Sequence, residues 1–299
     1  MALFVKRMFS RDRKKEMPGG LWIKCPSCSE MLYNPELKNA NMVCSKCDHH
    51  FQLSRQERID LLVDEGSFEE WDADLQSVDV LGFTGTASYT SKLKDNIAKT
   101  GYKDAVTTGG ATMGGFPVAF GVMDFSFLGA SMGSVVGEKI TRMIERGTEE
   151  GRPVILVCAS GGARMYEGLF SLMQMGKTSA ALARHAEKGL PYIPVLTHPT
   201  MAGVMASFAT LGDLIVAEPN ALIGFAGSRV IKETTQQDLP DSFQRSEFLL
   251  KHGLIDKVIH RRDMRAVLIE SLYYMTAHRG DQPPREAKPA QDAEAADAS

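Results

Sequence analysis

The stretch PVILVCASGGARMYEG, residues 153–168, decides the fold. Its first part, Pro153 to Ala159, is an unbroken apolar run of strand length, as expected of a strand buried on both faces. The Ser160-Gly161-Gly162 bend then leads into a helical pattern running from about Tyr166 to Lys188 and closed by Gly189. Downstream the same scheme returns: Ile193 to Thr197 as a strand, a small-residue turn from His198 to Gly203, and a helix to about Leu211. Leu214–Ala217 and Ala221–Phe225 add two short strands. Upstream, Ala105–Met113, a Gly114-Gly115 turn and Pro117–Phe125 spell a hairpin. Val135, Val136, Ile140, Met143 and Ile144 then mark a helix ending at Gly147. Strand, turn and helix in repetition predict an α/β body.

A chain of 299 residues is long enough to bury a core of its own. With 43% hydrophobic and 24% charged residues, and 34 basic against 37 acidic, neither overall disorder nor a polyelectrolyte partner is implied. No apolar run reaches the length of a membrane span. The first twenty residues are basic but lack the apolar segment of a secretory signal, so a cytoplasmic location with reduced thiols is expected.

Four of the five cysteines fall as Cys25-Pro-Ser-Cys28 and Cys44-Ser-Lys-Cys47, the paired-knuckle spacing of a zinc ribbon. Four thiolates leave no open position, so the zinc is expected to be structural and to supply the ribbon's folding energy. His49 and His50, just beyond the last ligand, are expected at the solvated ribbon edge. The organisation is thus a basic arm (1–20), the ribbon (21–53), the body (54–280) opening with a short helix from Arg55 to Gly66, and an acidic, proline-containing tail (281–299) expected to be disordered.

Chemistry belongs where strands give way to helices through small residues, at Ala159–Arg164 and His198–Gly203. Glycine permits unusual dihedrals and close approach of a ligand to the main chain. The helix start beyond leaves N–H groups unpaired and positively polarised. Together these make an oxyanion hole, one donor of which is typically worth about 2.7–4 kcal/mol in the transition state.

The motifs CPSC, CSKC, FLGASMGSVVGEK (127–139), ASGGARMYEG (159–168), ASFATLGDLIVAEPNALIGFAG (206–227) and FQRSEFLLKHGLID (243–256), in that order, resemble the carboxyltransferase beta subunits of bacterial acetyl-CoA carboxylases. The resemblance implies a crotonase-type ββα spiral body after the ribbon. It also implies transfer of a carboxyl group from carboxybiotin, held on a biotin carboxyl carrier protein, to acetyl-CoA, giving malonyl-CoA for fatty acid synthesis. A separate alpha subunit in an α2β2 assembly, and biotin carboxylase, are the implied partners. By the same analogy Ala202 and Gly203 form the main oxyanion hole, Gly161 and Gly162 shape the acyl-CoA side, and Gly133 and Arg164 are cofactor-binding candidates. For Arg164 the choice lies between a coenzyme A phosphate, a partner carboxylate and a structural ion pair.

The chain departs from the family pattern at Met201-Ala202, where Thr-Gly is usual, at Ala130, where glycine is usual, and at Ser228, where proline is common. A β-carbon at 202 costs about 1–2 kcal/mol if that position is left-handed. Other patterns are weaker. Ser171, Gly176, Lys177 and Thr178 nearly spell a phosphate loop but lie inside a helical pattern. Ser160 and His198 lack the nucleophile-elbow motif, and Cys158 reads as an inert buried thiol. The remaining alternatives are a zinc-ribbon nucleic-acid-binding protein and a carboxyltransferase for another acyl-CoA.

Overall fold

The computed structural model describes residues 21–236, 239–240 and 242–277, so the basic arm and the acidic tail lie outside the described residues. The chain divides into two compact units, one ending at His49 and one beginning at His50.

In the first unit β1 (Trp22–Lys24) pairs antiparallel with β2 (Met31–Tyr33), followed by α1 (Asn34–Asn39). The two CxxC turns are built alike. Cys25 N–H donates to Glu30 O (2.8 Å) and Cys44 N–H to His49 O (2.9 Å). Ser29 and Asp48, the residues after each second cysteine, return N–H bonds to Cys25 O and Cys44 O and have positive φ, 64° and 54°.

The second unit opens with α2 (Arg55–Leu62), capped at Ser54 by a reciprocal bond with Glu57. The helix stops short of the expected Gly66, because Asp64 turns away to bond Thr112 O through its N–H and the Gly114 and Gly115 N–H groups through its carboxylate. Then come β3 (Glu69–Trp71), α3 (Tyr89–Thr100) and the hairpin of β4 (Val106–Met113) and β5 (Phe116–Met123). Gly114 and Gly115 have φ of 58° and 80°, the twist that joins two strands through two residues.

Next are α4 (Ser134–Glu149), β6 (Val154–Ser160) and α5 (Leu169–Glu187). α4 continues through Gly147, which serves contact rather than termination: a Cβ there would lie 2.9 Å from that of Ala119. β7 (Tyr192–Met201) runs on through the expected turn, and α6 (Ala202–Met205) is only one turn long. β8 (Val216–Ala217), β9 (Ile223–Gly224), α7 (Ser228–Thr235), α8 (Ser246–Lys251), β10 (Lys257–Val258) and α9 (Arg261–Thr276) complete the unit.

The sheet runs β10-β8-β7-β6-β5-β4-β3, parallel from β10 to β5 and antiparallel from β5 to β3, with β9 added beside β7. β6 is central and buried throughout. Its Val154, Leu156 and Cys158 join the core formed with Val136, Ile140 and Ile144 of α4, while Ile155 and Val157 join Ile59 and Leu62 of α2 and Leu268 and Leu272 of α9. Full burial of each such side chain contributes about 1.5–3 kcal/mol, which is why every position of this strand is apolar until Ser160. No helix among the described residues is long and apolar enough to cross a membrane.

Candidate active site

The two predicted glycine turns meet. β6 and β7 are neighbours, with Ser160 opposite Thr200 at their carboxyl ends, so the residues after each strand are brought side by side. A Cβ placed on Gly162 (φ 118°) would lie 2.6 Å from the Ala202 Cβ, and one on Gly203 would lie 3.7 Å from the Ala163 Cβ.

The N–H groups of the predicted site residues Gly161, Gly162 and Gly203 do not fare alike. Gly161 N–H donates to Gly129 O (2.8 Å), and Gly162 N–H donates to Ser160 Oγ (3.0 Å). These two amides are held within the fold and shape the turn. Ala163 forms a parallel bridge with Met132, in which Gly162 O accepts from Met132 N–H and Arg164 N–H donates to Met132 O. That pattern turns the N–H of Ala163 itself to the other side, where it has no acceptor among the described residues. Gly203, second residue of α6 and buried, likewise has an N–H without an acceptor among the described residues. Ala163 was not among the residues expected to donate, because its freedom depends on pairing with Met132, a contact remote in sequence.

Ala202 has φ of 51°, so the departure from glycine falls on a left-handed position. Ala130 does too, at φ 46°, between Gly129 and the strand-like Ser131. Its carbonyl accepts the Ser160 hydroxyl (2.6 Å), clamping the 128–130 turn onto the end of β6.

Arg164 is 1% exposed and fastens the first turn from behind. Nη2 donates to Asp104 Oδ1 (2.7 Å) and Ser131 O (2.8 Å), Nη1 to Ser77 Oγ and Tyr89 Oη (both 3.1 Å), and Nε to Ser131 Oγ (3.2 Å). All five N–H hydrogens are thereby engaged. Of the roles open to Arg164, the one this geometry displays is the structural ion pair. Burial alone would raise the Asp104 carboxyl, but the Arg164 charge and the bonds from Arg164, Ser77 and Ala105 N–H hold it below the usual carboxylate range. Burial pushes the Tyr89 hydroxyl up to about 12. Gly133 packs against the same network: a Cβ there would lie 2.5 Å from Glu167 Oε1 and 2.9 Å from Arg164 Nη1.

The other nucleophile patterns resolve structurally. Ser160 is fully buried with its hydroxyl on Ala130 O, while His198 Nδ1 accepts from Leu222 N–H, so each is engaged elsewhere. Cys158 is fully buried, which drives its thiol well up. Ser171, Gly176, Lys177 and Thr178 all lie in α5, where no phosphate loop exists.

In the ribbon the Sγ atoms of Cys25, Cys28, Cys44 and Cys47 lie within 4.8 Å of one another, with Cys25–Cys47 at 3.7 Å and Cys28–Cys44 at 3.8 Å. Zinc–sulfur bonds of about 2.3 Å in a tetrahedron put sulfurs about 3.8 Å apart, so the set fits a closed structural zinc site. His50 is buried in the second unit beside Glu218, not solvated as expected.

Residues 52–244 match the carboxyl transferase domain family, and residues 22–47 match the acetyl-CoA carboxylase zinc finger domain family. The chain is 57% identical over 267 residues to the acetyl-coenzyme A carboxylase carboxyl transferase subunit beta of Methylacidiphilum infernorum (isolate V4), covering 89% of this chain and 96% of that one. It is 55% identical over 256 residues to the chloroplastic subunit beta of Pyropia yezoensis, covering 86% and 89%. Among solved structures it is similar to transcarboxylase 12S with methylmalonyl-coenzyme A and methylmalonic acid bound, at 28% identity and a TM-score of 0.63 over 74% of this chain, and it spans 40% of that longer one. A mixed sheet shared with carboxyltransferases gives the α/β, crotonase-type body expected, preceded by a zinc ribbon.

Proposed function

The chain belongs to the family of acetyl-coenzyme A carboxylase carboxyl transferase beta subunits, and from that premise we propose that the N–H groups of Ala163 and Gly203 receive the thioester oxygen of acetyl-CoA during carboxyl transfer. It is thus an enzyme component, one subunit of a multi-subunit carboxylase that acts with biotin and carries a structural zinc ribbon.

The acetyl methyl group is a weak acid, and its proton leaves only as negative charge builds on the thioester oxygen. Two N–H donors fixed at that oxygen bind the enolate more strongly than the ground-state carbonyl, which is what lowers the barrier. Carboxybiotin, when presented, supplies the carboxyl group and the ureido nitrogen that takes the methyl proton. Gly161 and Gly162 hold the turn so that Ala163 N–H stays directed away from Met132, and Arg164 positions the turn from within the core. The observation supporting this reading is the pair of main-chain N–H groups with no acceptor among the described residues, on two turns that touch.

One such pair serves one oxygen, whereas carboxyl transfer also places charge on the ureido carbonyl. A companion alpha subunit of the same fold, in an α2β2 assembly, is the proposed source of the second hole, with the biotin carboxyl carrier protein and biotin carboxylase as further partners. A cytoplasmic setting, where the four ribbon thiols stay reduced, accompanies this reading. The nucleic-acid reading of the ribbon has no comparable support.

The test is malonyl-CoA decarboxylation with the purified partner and free biotin. Gly203→Pro deletes the donor and should lower the rate by about 10²–10³-fold, whereas Gly203→Ala keeps it, the tightest contact of its Cβ being the flexible Met175 sulfur at 3.1 Å, and should stay within about tenfold of wild type. A wild-type rate in Gly203→Pro overturns the assignment.

A further inference from the structure

α5 carries three hydroxyl side chains, and one of them behaves unlike the others. Thr178 and Ser179 donate back onto their own helix, to Gln174 O (2.9 Å) and Met175 O (2.8 Å). Ser171, third residue of the helix and 1% exposed, reaches out of it instead. Its hydroxyl donates to Met132 O, 39 residues away in sequence, and its Oγ accepts the Arg164 N–H at 2.7 Å.

The same Arg164 N–H also reaches Met132 O (2.9 Å), so Ser171 Oγ, Met132 O and Arg164 N close a triangle along one edge of the Met132–Ala163 bridge. That bridge is isolated. It lies outside the strands, and its other edge is the single bond from Met132 N–H to Gly162 O (2.8 Å). A residue within a ladder is held in register by the pairs before and after it, and Met132 has neither. The peptide joining Gly162 to Ala163 is planar and trans, so aiming its carbonyl at Met132 aims the Ala163 N–H the opposite way. Any tilt of that plane swings the N–H away from the oxygen it is to hold.

We propose that Ser171 is a positioning residue for carboxyl transfer: by tying Met132 O to Arg164 N–H it fixes the peptide plane that carries the Ala163 N–H, an inference that rests on the reading of Ala163 and Gly203 as donors to the thioester oxygen. Pre-organised donors act chiefly on charge that develops in the transition state, so a loosened one lowers kcat and leaves KM nearly as it was. The Arg164 guanidinium still donates to Ser131 O (2.8 Å) when the serine hydroxyl is gone, so the bridge slackens without opening.

The test is a double-mutant cycle on the full chain assembled with the purified partner, read as malonyl-CoA decarboxylation with free biotin. One arm is Ser171→Ala. The other replaces Ala163 during translation by lactic acid, its α-hydroxy counterpart, which exchanges the amide N–H for an ester oxygen and keeps the methyl side chain. The ester should lower kcat by about 10²–10³-fold, the loss of a whole donor. Ser171→Ala should lower kcat about tenfold with KM within about threefold, since the donor is misplaced rather than removed. In the ester protein Ser171→Ala should cost less than about twofold more, because no N–H is left to aim. A merely structural serine would slow both backgrounds alike. Losses that multiply, or a wild-type kcat in Ser171→Ala beside a crippled ester, overturn the role of Ser171 and leave the hole standing. A wild-type rate in the ester removes the hole and this role with it. Should Ser171→Ala fail to assemble, Ser171→Cys, which keeps a side chain in place but bonds only weakly, goes through the same cycle with the same criteria.

Discussion

Gly162 faces Ala202 so closely that a methyl group on it would sit 2.6 Å from the Ala202 Cβ. The contact of the two turns therefore depends on one of the pair having no side chain, and both residues carry positive φ, 118° and 51°. Gly162→Ala should destabilise the protein by about 2–4 kcal/mol, combining left-handed strain with overpacking. Ala202→Gly should stabilise it by about 1 kcal/mol. The double variant should recover more than the sum of the two changes, by about 1 kcal/mol or more, since removing the Ala202 methyl vacates the space that the new one needs. Denaturant melts of the two singles and the double measure the coupling, and strict additivity would show that the turns do not touch.

Arg164 and Asp104 are both 1% exposed in their side chains and 2.7 Å apart. Asp104→Asn leaves the buried guanidinium with only the longer Glu167 contact (3.5 Å) as a charged partner and should cost about 3–5 kcal/mol at neutral pH. Because the folded Asp104 carboxyl sits below its unfolded value, its contribution is present above about pH 4 and fades as the pH falls through the folded value. The stability gap between wild type and Asp104→Asn should thus be constant from pH 6 to 8, within about 0.5 kcal/mol, and close only in acid below about pH 4. A gap that widened in acid would contradict the ion pair.

Gly133→Ala separates packing from coenzyme binding. The new Cβ meets Glu167 Oε1 at 2.5 Å, an atom already held by Tyr89 Oη–H, so the network cannot yield cheaply. Stability should fall by about 1–3 kcal/mol. KM for malonyl-CoA in the decarboxylation assay should change less than about threefold, since the affected atoms lie inside the fold; a large KM change with unaltered stability would return Gly133 to the coenzyme site.

What was legible in the sequence follows physical rules that act locally. β6 could be read because a strand buried on both faces admits only apolar residues, and the β4–β5 hairpin because Gly114-Gly115 suits a two-residue turn. The four ribbon cysteines could be read from spacing alone. The misreadings are all long-range. Gly147 looks like a helix stop but is a contact with Ala119. α3 gives no clear signal, because Tyr89, Leu93 and Ile97 form one stripe diluted by lysines, and Tyr89 is held through bonds to Arg164 and Glu167 that lie far off in sequence. His50 looks like a ribbon-edge surface group until Glu218 arrives from a distant segment, and among the three roles open to Arg164 the ion pair depends on Asp104, equally remote. The N–H of Ala163 lacks an acceptor among the described residues because Met132 takes the groups on either side of it.

Removing the metal should separate the two units. In the ribbon the buried apolar residues beside the thiols are Leu32, Leu37 and Val43, too few to offset the chain entropy of ordering its loops. The zinc supplies that difference, with binding worth about 10–16 kcal/mol in comparable small domains at neutral pH. The body has its own two-sided core around β6 and needs no metal to keep it. A chelator, or Cys25→Ala, should therefore abolish bound zinc and expose amides between residues 21 and 49 to rapid hydrogen exchange. Amides of β5, β6 and β7 should keep their protection within about tenfold, since their burial involves none of the thiols. Zinc content by atomic emission, together with residue-resolved exchange, checks both halves. Collapse of protection in β6 on chelation would mean that the body's stability depends on the metal, and retained zinc in Cys25→Ala would remove Cys25 from the ligand set.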